Sequence, residues 1–356
     1  MAVLRTSDFE FDLPPGLIAQ QPPPRREDAR LMTLDRRTGA VTIGRFPDLI
    51  DHLRPNDVLA LNETRVIAAR LFARRADTGG RIELLLVRPG EEGAWWTMAR
   101  PGRSLTRGRA VEVLAHDGES VAGRLLVRDV GEGLYALAFD GDWSGLLAAA
   151  GHVPLPPYIR RPDTEQDRER YQTVFARVPG AIAAPTAGLH FTPELLARAE
   201  AKGVRTARLV LHVGPGTFKP VTVEDPAAHV LDPEFYEIGR EAAARLREAR
   251  AAGGRVIAVG TTVTRTLETG AALRTDAERT AGEVVAAGSG WTGRLIVPPY
   301  TFGAVDALVT NFHLPRSSLL FLVSALAGRE AVLAAYRRAV DEGFRFYSYG
   351  DAMFIA

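Results

Sequence analysis

The chain has 356 residues, of which 46% are hydrophobic and 24% are charged, as is ordinary for a globular protein. It contains no cysteine, which excludes disulfides, thiolate metal sites and cysteine nucleophiles, and its net charge of +1 does not by itself predict a polyanionic partner. The N-terminal stretch is too acidic for a signal peptide, and the longest apolar run, residues 319–327, is shorter than the ~20 residues of a membrane span, so we expect a cytoplasmic protein.

Residues 1–68 are predicted to form a compact N-terminal segment made of strands and a short helix. Three consecutive prolines at 22–24 forbid regular helix there. Residues 29–35 then predict a strand, and residues 38–46 predict its hairpin partner. An apolar strand, Val58 to Leu61, follows the short helix.

Residues 69–150 have a different pattern. Short alternating strands are separated by glycine turns, which is typical of a small antiparallel barrel or sandwich. Because an α/β pattern resumes afterwards, we interpret residues 69–150 as a β domain inserted into a discontinuous domain of residues 1–68 and 151–356.

After a proline-rich linker, apolar runs alternate with helical patterns, and a polar cluster follows each apolar run. The first unit reads as strand, loop and helix, with Thr192 as N-cap, Pro193 at the first helical position and Gly203 at the stop. Residues 294–302, RLIVPPYTF, predict a strand halted by prolines. Right-handed crossovers place the carboxyl ends of parallel strands on one rim, so the clusters should line one pocket of a barrel-like α/β domain. The five clusters are AAPTAGLHF, LHVGPGTF, VGTTVTR, VTNFHLP and YSYGD.

Gly288, Gly290 and Gly293 formally match the dinucleotide fingerprint G-x-G-x-x-G. The context is wrong, because a proline-broken strand follows where the fingerprint requires a helix. We therefore reject a Rossmann cofactor site.

Three of the seven histidines, His190, His212 and His313, fall at predicted strand ends. Neutral imidazole can accept or donate protons near pH 7, so these are the candidate acids and bases, although a single histidine in such a place is more often structural. Metal binding by the three is conceivable, but no carboxylate shares their loops with ligand-like spacing, and we predict no metal. Asp351 is a candidate for orienting them.

The start of the helix at Thr261 and Thr262 offers backbone amides that favour an anion such as a carboxylate, although ordinary threonine capping would look the same. Gly214 and Gly216 predict either a close approach of backbone to ligand or a tight turn. Together the loops give the candidate substrate-binding residues Thr186, Gly188, Gly214, Gly216, Thr217, Thr261, Thr262, Arg265 and Asn311.

The strings LNETRVIAARL, AAPTAGLHFT, LHVGPGTFKPV, VGTTVTRTLE, VDALVTNFHLPRSSLLFLVSALAG and FYSYGDAMFI resemble the S-adenosylmethionine:tRNA ribosyltransferase-isomerase family of queuosine biosynthesis. The resemblance runs in order from about Phe9 to Ile355. It implies a barrel-like α/β domain with an inserted β-barrel.

The resemblance also implies a reaction. The ribosyl part of S-adenosylmethionine is moved onto 7-aminomethyl-7-deazaguanine at the tRNA wobble position, which gives epoxyqueuosine-tRNA, adenine and methionine. S-adenosylmethionine is then a consumed substrate, and we expect no cofactor. For this reaction, Asp351 and Asn311 are candidates either for orienting the histidines or for hydrogen-bonding the leaving adenine. The roles given to individual residues come from loop position and not from the resemblance.

If tRNA is the substrate, the stretch 93–111, which contains no acidic residue, is a candidate RNA-binding surface. We expect phosphate contacts from six arginines of this stretch and of the linker: Arg100, Arg103, Arg107, Arg109, Arg160 and Arg161. The partners implied are tRNA and S-adenosylmethionine, with no membrane and a monomeric enzyme. The alternatives are a small-molecule α/β-barrel lyase or hydrolase with a β-domain lid, and a non-catalytic RNA-binding module.

Overall fold

The structure, a computed structural model, describes residues 4–103 and 105–356. Within them the strands are β1 (Arg30–Leu34), β2 (Val41–Arg45), β3 (Val58–Asn62), β4 (Thr64–Val66), β5 (Arg70–Arg75), β6 (Arg81–Pro89), β7 (Trp95–Arg100), β8 (Ala110–Leu114), β9 (Val121–Gly131), β10 (Leu134–Phe139), β11 (Val178–Ala181), β12 (Arg205–Leu211), β13 (Glu234–Ile238), β14 (Val256–Val259), β15 (Gly288–Thr292), β16 (Ala307–Asn311) and β17 (Ala352–Ile355). The α-helices are α1 (Leu49–His52), α2 (Trp143–Ala150), α3 (Glu165–Arg170), α4 (Pro193–Ala201), α5 (Arg240–Ala251), α6 (Thr261–Ala272), α7 (Asp276–Thr280), α8 (Ser318–Ala327) and α9 (Arg329–Asp341).

The main sheet of the described residues has nine strands in the order β15-β13-β12-β3-β14-β16-β17-β1-β2. Strands β12, β3, β14 and β16 are mutually parallel, whereas β17 is antiparallel to β16 and parallel to β1. The predicted α/β class is confirmed. The sheet itself is mixed, with β15 and β2 at its two ends, where the sequence had favoured a barrel-like ring.

Helices cover both faces of the main sheet, which explains why its central strands are apolar without alternation. Val58 and Ala60 of β3 pack on one face in a core that includes Leu246 of α5 and Leu267 of α6. Leu59 and Leu61 face the opposite side, where α1 and α4 pack. Every residue of β3 is therefore buried.

The predicted insertion contains a closed antiparallel barrel with strand order β10-β7-β6-β5-β8-β9. Its interior is filled by alternate apolar side chains such as Leu71, Leu84, Val111 and Leu125. Closure removes free strand edges, as expected for a small β unit built from hairpins. The predicted antiparallel barrel is confirmed, while the assignment of residues 69–150 to a separate domain stays a prediction.

Two local predictions change. Strand β11 pairs in parallel with β4 in a small two-stranded sheet and does not join the main sheet. Residues 294–302 are irregular, and the strand at this place is β15, which contains Gly288 and Gly290 and pairs antiparallel with β13. The physical reason is that Pro298 and Pro299 have no amide hydrogen to donate to a ladder.

The capping prediction for α4 is confirmed, since the Thr192 side chain accepts a hydrogen bond from the Leu195 amide at 3.2 Å. Across the described residues, no single helix is long and apolar enough to span a bilayer. Helices α8 and α9, which meet at a 116° bend, reach the required length and hydropathy only together.

Candidate active site

A cavity of about 310 Å³ opens at the carboxyl edge of the parallel strands. All five polar clusters of the sequence contribute to its wall, so their predicted convergence is confirmed. Four of them follow a strand. The fifth, YSYGD, precedes β17, but β17 is antiparallel to β16 and therefore begins at the same edge. The wall includes residues 183–187, 217–221, 260–262, 310–319 and 347–348.

One side of the cavity is the N-terminus of α6. Thr261 and Thr262 line it, and Gly260 before them has a φ of +102°, which an L side chain rarely adopts. The first amides of a helix have no carbonyl partner inside the helix and carry its positive partial charge. This side can therefore hold a carboxylate.

Another part of the cavity wall is apolar and consists of three aromatic rings. Tyr158, Phe218 and Tyr347 line the cavity, with 3.9 Å between the ring centroids of Tyr158 and Tyr347 and 5.8 Å between those of Tyr158 and Phe218. Such faces suit a planar base. Sequence reasoning missed them, because Tyr158 lies in the proline-rich linker and no periodic pattern marks its contact with residue 347.

Of the three candidate histidines, His313 lines the cavity. Its Nε2 lies 2.8 Å from the hydroxyl oxygen of Thr310, and its backbone amide donates to the Tyr336 hydroxyl. Burial lowers the pKa of His313 to about 3. The ring is therefore neutral at pH 7, and the same burial makes it a weak base.

His190 lies one layer behind the cavity wall. It is buried, its ring packs against Phe46 with 5.0 Å between centroids, and its Nε2 lies 3.0 Å from the Nδ2 of Asn311. Burial lowers the pKa of His190 to about 3. Asn311 itself lines the cavity, so His190 reaches the cavity through Asn311.

His212 and Asp351 lie outside the cavity wall. The Nδ1 of His212 is 2.8 Å from the Thr64 hydroxyl, its ring stacks on Phe235, and burial lowers its pKa. Each carboxylate oxygen of Asp351 accepts one backbone amide at 2.8 Å, from Arg30 and from Arg345. These contacts brace strand starts, and we assign neither residue a chemical role.

The candidate substrate residues divide in the same way. Thr186, Thr217, Thr261, Thr262 and Asn311 line the cavity. Gly188 serves packing, because a Cβ there would lie 2.8 Å from both the Phe175 ring and the Thr173 methyl group.

Arg265 forms a buried ion pair with Glu234, whose Oε2 lies 2.7 Å from the Arg265 Nη1. The Gly214 amide donates to the other oxygen of Glu234 at 2.9 Å, and Asp232 would block a Cβ on Gly216. Burial raises the pKa of Glu234, although Arg265 opposes that shift. Arg265, Gly214 and Gly216 therefore shape the loop beside the cavity without lining it.

The candidate RNA-binding arginines differ in their freedom to bind phosphate. Arg100, Arg103, Arg107 and Arg160 are exposed, and Arg109 is exposed but pairs with Asp77 at 2.9 Å.

Arg161 is half-buried and makes two hydrogen bonds to Asp167, at 2.7 and 2.8 Å. Burial raises the pKa of Asp167, but the bonds from Arg161 and Thr164 outweigh it and bring the pKa to about 2. Arg161 thus anchors the linker.

Comparison with known proteins bears on this geometry. The family model described as "Queuosine biosynthesis protein" matches residues 6–355. A protein of Moorella thermoacetica is 50% identical over 353 residues, which cover 99% of this chain and 100% of the relative. A protein of Heliobacterium modesticaldum is 47% identical over 347 residues, with 98% of each chain covered. Both are named S-adenosylmethionine:tRNA ribosyltransferase-isomerase.

A solved structure is also similar. The crystal structure of an S-adenosylmethionine tRNA ribosyltransferase from Thermotoga maritima aligns with a TM-score of 0.56 and 37% sequence identity. The alignment covers 98% of this chain and 100% of that one.

Proposed function

This chain belongs to the queuosine biosynthesis protein family, and from that membership we propose that it acts as an S-adenosylmethionine:tRNA ribosyltransferase-isomerase. It transfers and isomerises the ribosyl part of S-adenosylmethionine onto the aminomethyl group of 7-aminomethyl-7-deazaguanine at the tRNA wobble position. The products are epoxyqueuosine-tRNA, adenine and methionine.

The observation that carries the proposal is the convergence of all five motif loops on one cavity. S-adenosylmethionine has a carboxylate at one end and a flat base at the other. The amides at the start of α6 suit the carboxylate, and the aromatic rings of Tyr158, Phe218 and Tyr347 suit the base.

The chemistry requires a base that takes a proton from the carbon next to the sulfonium. His313 is our candidate, because its ring lines the cavity and is neutral at pH 7. The proton moves from carbon to the imidazole and is then available to adenine as that base leaves. Proton transfer of this kind contributes about 10²–10⁴ in rate.

For the RNA substrate, the wobble nucleotide must leave its stack to enter the cavity. The exposed arginines Arg100, Arg103, Arg107 and Arg160 are our candidates for phosphate contacts, and Arg161 is omitted because Asp167 holds it. We further propose a cytoplasmic monomer that uses no cofactor, since S-adenosylmethionine is itself consumed.

The test is to incubate the protein with S-adenosylmethionine and tRNA that carries the deazaguanine precursor, then to measure adenine and the mass of the modified nucleotide. We expect both adenine release and a gain of the ribosyl-derived mass, and neither with tRNA that carries guanine instead. Turnover of a small molecule without RNA would favour the lyase or hydrolase alternative. Binding of tRNA without consumption of S-adenosylmethionine would favour the RNA-binding alternative.

A further inference from the structure

Asn311 lines the cavity, and its side-chain amide is only partly hydrogen-bonded. The residue is only 2% exposed, and its Nδ2 donates to His190 Nε2 at 3.0 Å and to the backbone carbonyl of Asp351 at 3.4 Å. Its Oδ1 is buried and has no hydrogen-bond partner among the described residues. A buried amide oxygen without a partner is costly in a folded protein, so a bound donor is the natural occupant.

His190 and the Asp351 backbone determine which way the Asn311 amide faces. Its Nδ2 lies 3.0 Å from His190 Nε2 and 3.4 Å from the Asp351 carbonyl oxygen. Because a carbonyl oxygen can only accept, the NH₂ group must lie on this side, and Nε2 of the neutral His190 ring is then the second acceptor. The amide oxygen therefore points away from both partners.

We infer that Asn311 reads the substrate through Oδ1, which accepts a hydrogen bond from the exocyclic amino group of the adenine of S-adenosylmethionine, and that His190 is a positioning residue for Asn311. This inference rests on the proposed function. Adenine fits the place because the Tyr158, Phe218 and Tyr347 rings of the same cavity offer faces for a base. The start of α6 is left for the methionyl carboxylate.

His190 then has a different role from the one that the sequence predicts. In the sequence it was a candidate base, but a ring that contacts the cavity only through Asn311 does not reach a reacting atom. Its contribution is to exclude the flipped amide, in which an NH₂ group would meet the adenine amino group donor to donor.

Binding to the protein alone tests this without turnover. S-adenosylhomocysteine carries the amino group, whereas S-inosylhomocysteine has an oxygen at that position and would place two acceptors face to face. By calorimetry we expect the protein to bind the adenosyl compound at least about tenfold more tightly. Asn311→Leu should bind both compounds equally.

The His190 variants separate positioning from catalysis. His190→Leu should lose most of the preference, and His190→Gln, which keeps an acceptor for the Asn311 amide, should retain it. His212→Gln is the matched control, because His212 lies outside the cavity, and should retain the full preference. In adenine release, His190→Gln should keep the pH profile of the unaltered protein, since no proton passes through this ring.

Equal binding of the two compounds by the unaltered protein overturns the inference, as does an intact preference in Asn311→Leu. An effect of Asn311→Leu confined to RNA carrying the deazaguanine, measured against RNA carrying guanine, assigns the acceptor to the wobble base instead and overturns the adenine assignment. Failure of the proposed function looks different, because neither compound would then bind and no adenine would be released.

Discussion

The two edges of the main sheet treat their polar side chains in opposite ways. At the amino ends of the parallel strands, Asp57 is 1% exposed and accepts bonds from the Arg54 amide, the Arg255 amide and the Arg255 guanidinium. Asp306 accepts from Val256 and Arg250 in the same way. At the carboxyl ends, the Asn311 oxygen is unpaired among the described residues, and the start of α6 faces a cavity.

The difference teaches how to separate polar groups that stabilise from those that bind. A buried carboxylate that accepts hydrogen bonds from several donors stabilises the fold. Its removal leaves the positive charge of the paired arginine uncompensated. A buried side-chain amide whose oxygen has no hydrogen-bond partner can bind a ligand that donates a hydrogen bond. Changes at the amino edge should therefore affect stability, and changes at the carboxyl edge should affect activity.

The largest effect is expected from His313→Gln. Adenine release should fall by about 10²–10⁴ because a proton-transfer group is lost. The melting temperature should change little, and His212→Gln, outside the cavity, should stay close to the unaltered rate. Activity of His313→Gln within a few-fold of normal would remove His313 from the chemistry.

Asp57→Ala should remove the hydrogen bonds and the ion pair that stabilise the amino edge of the main sheet. We expect a loss of ~3–5 kcal/mol in the free energy of unfolding, because the half-buried Arg255 guanidinium loses its buried partner. Denaturant unfolding measures this loss. At a temperature where the variant is folded, its rate of adenine release should equal that of the unaltered protein. A strongly reduced rate would contradict the view that the amino edge contributes only to stability.

Acid should destabilise the protein through the buried ring of His190. His190 has a pKa of about 3 in the folded protein and 6.5 as its ordinary value, so below pH 6.5 the unfolded chain binds a proton that the folded chain does not. Stability is thus complete above pH 6.5 and is lost as the pH falls, at about 1.4 kcal/mol per pH unit for this residue. The stability of His190→Gln, measured by denaturant unfolding at several pH values, should fall by that much less per unit between pH 6 and 4. An unchanged slope would mean that the ring is protonated in the folded state.

The smallest effects concern the exposed arginines. Arg103→Gln and Arg107→Gln should each reduce the slope of log binding constant against log salt by about 0.7–0.9 for tRNA, because each removes one phosphate contact. Arg161→Gln, whose guanidinium is held by Asp167, should leave the salt slope unchanged and lower the stability. Equal slopes in all three variants would place the RNA elsewhere.

Much of the carboxyl edge could be predicted from the sequence, because polar clusters after apolar runs mark strand ends. The prediction held even for YSYGD, although that cluster precedes its strand, since the reversed direction of β17 brings it to the same edge.

What could not be predicted depends on contacts between distant residues. Position after a strand did not separate His313 from His212, because the difference lies in which way each side chain points. No strand forms at residues 294–302, because Pro298 and Pro299 have no amide hydrogen to donate to a ladder. The mixed sheet depends on the direction of β17, which no local pattern encodes.

The central claim is that the cavity at the carboxyl edge is the active site. A crystal structure with S-adenosylhomocysteine bound tests it most directly. We predict that the ligand occupies this cavity, with its carboxylate at the amides of Thr261 and Thr262 and its adenine amino group at the oxygen of Asn311. A ligand bound instead in the charged surface cavity beside Glu63 and Arg177 would contradict the account.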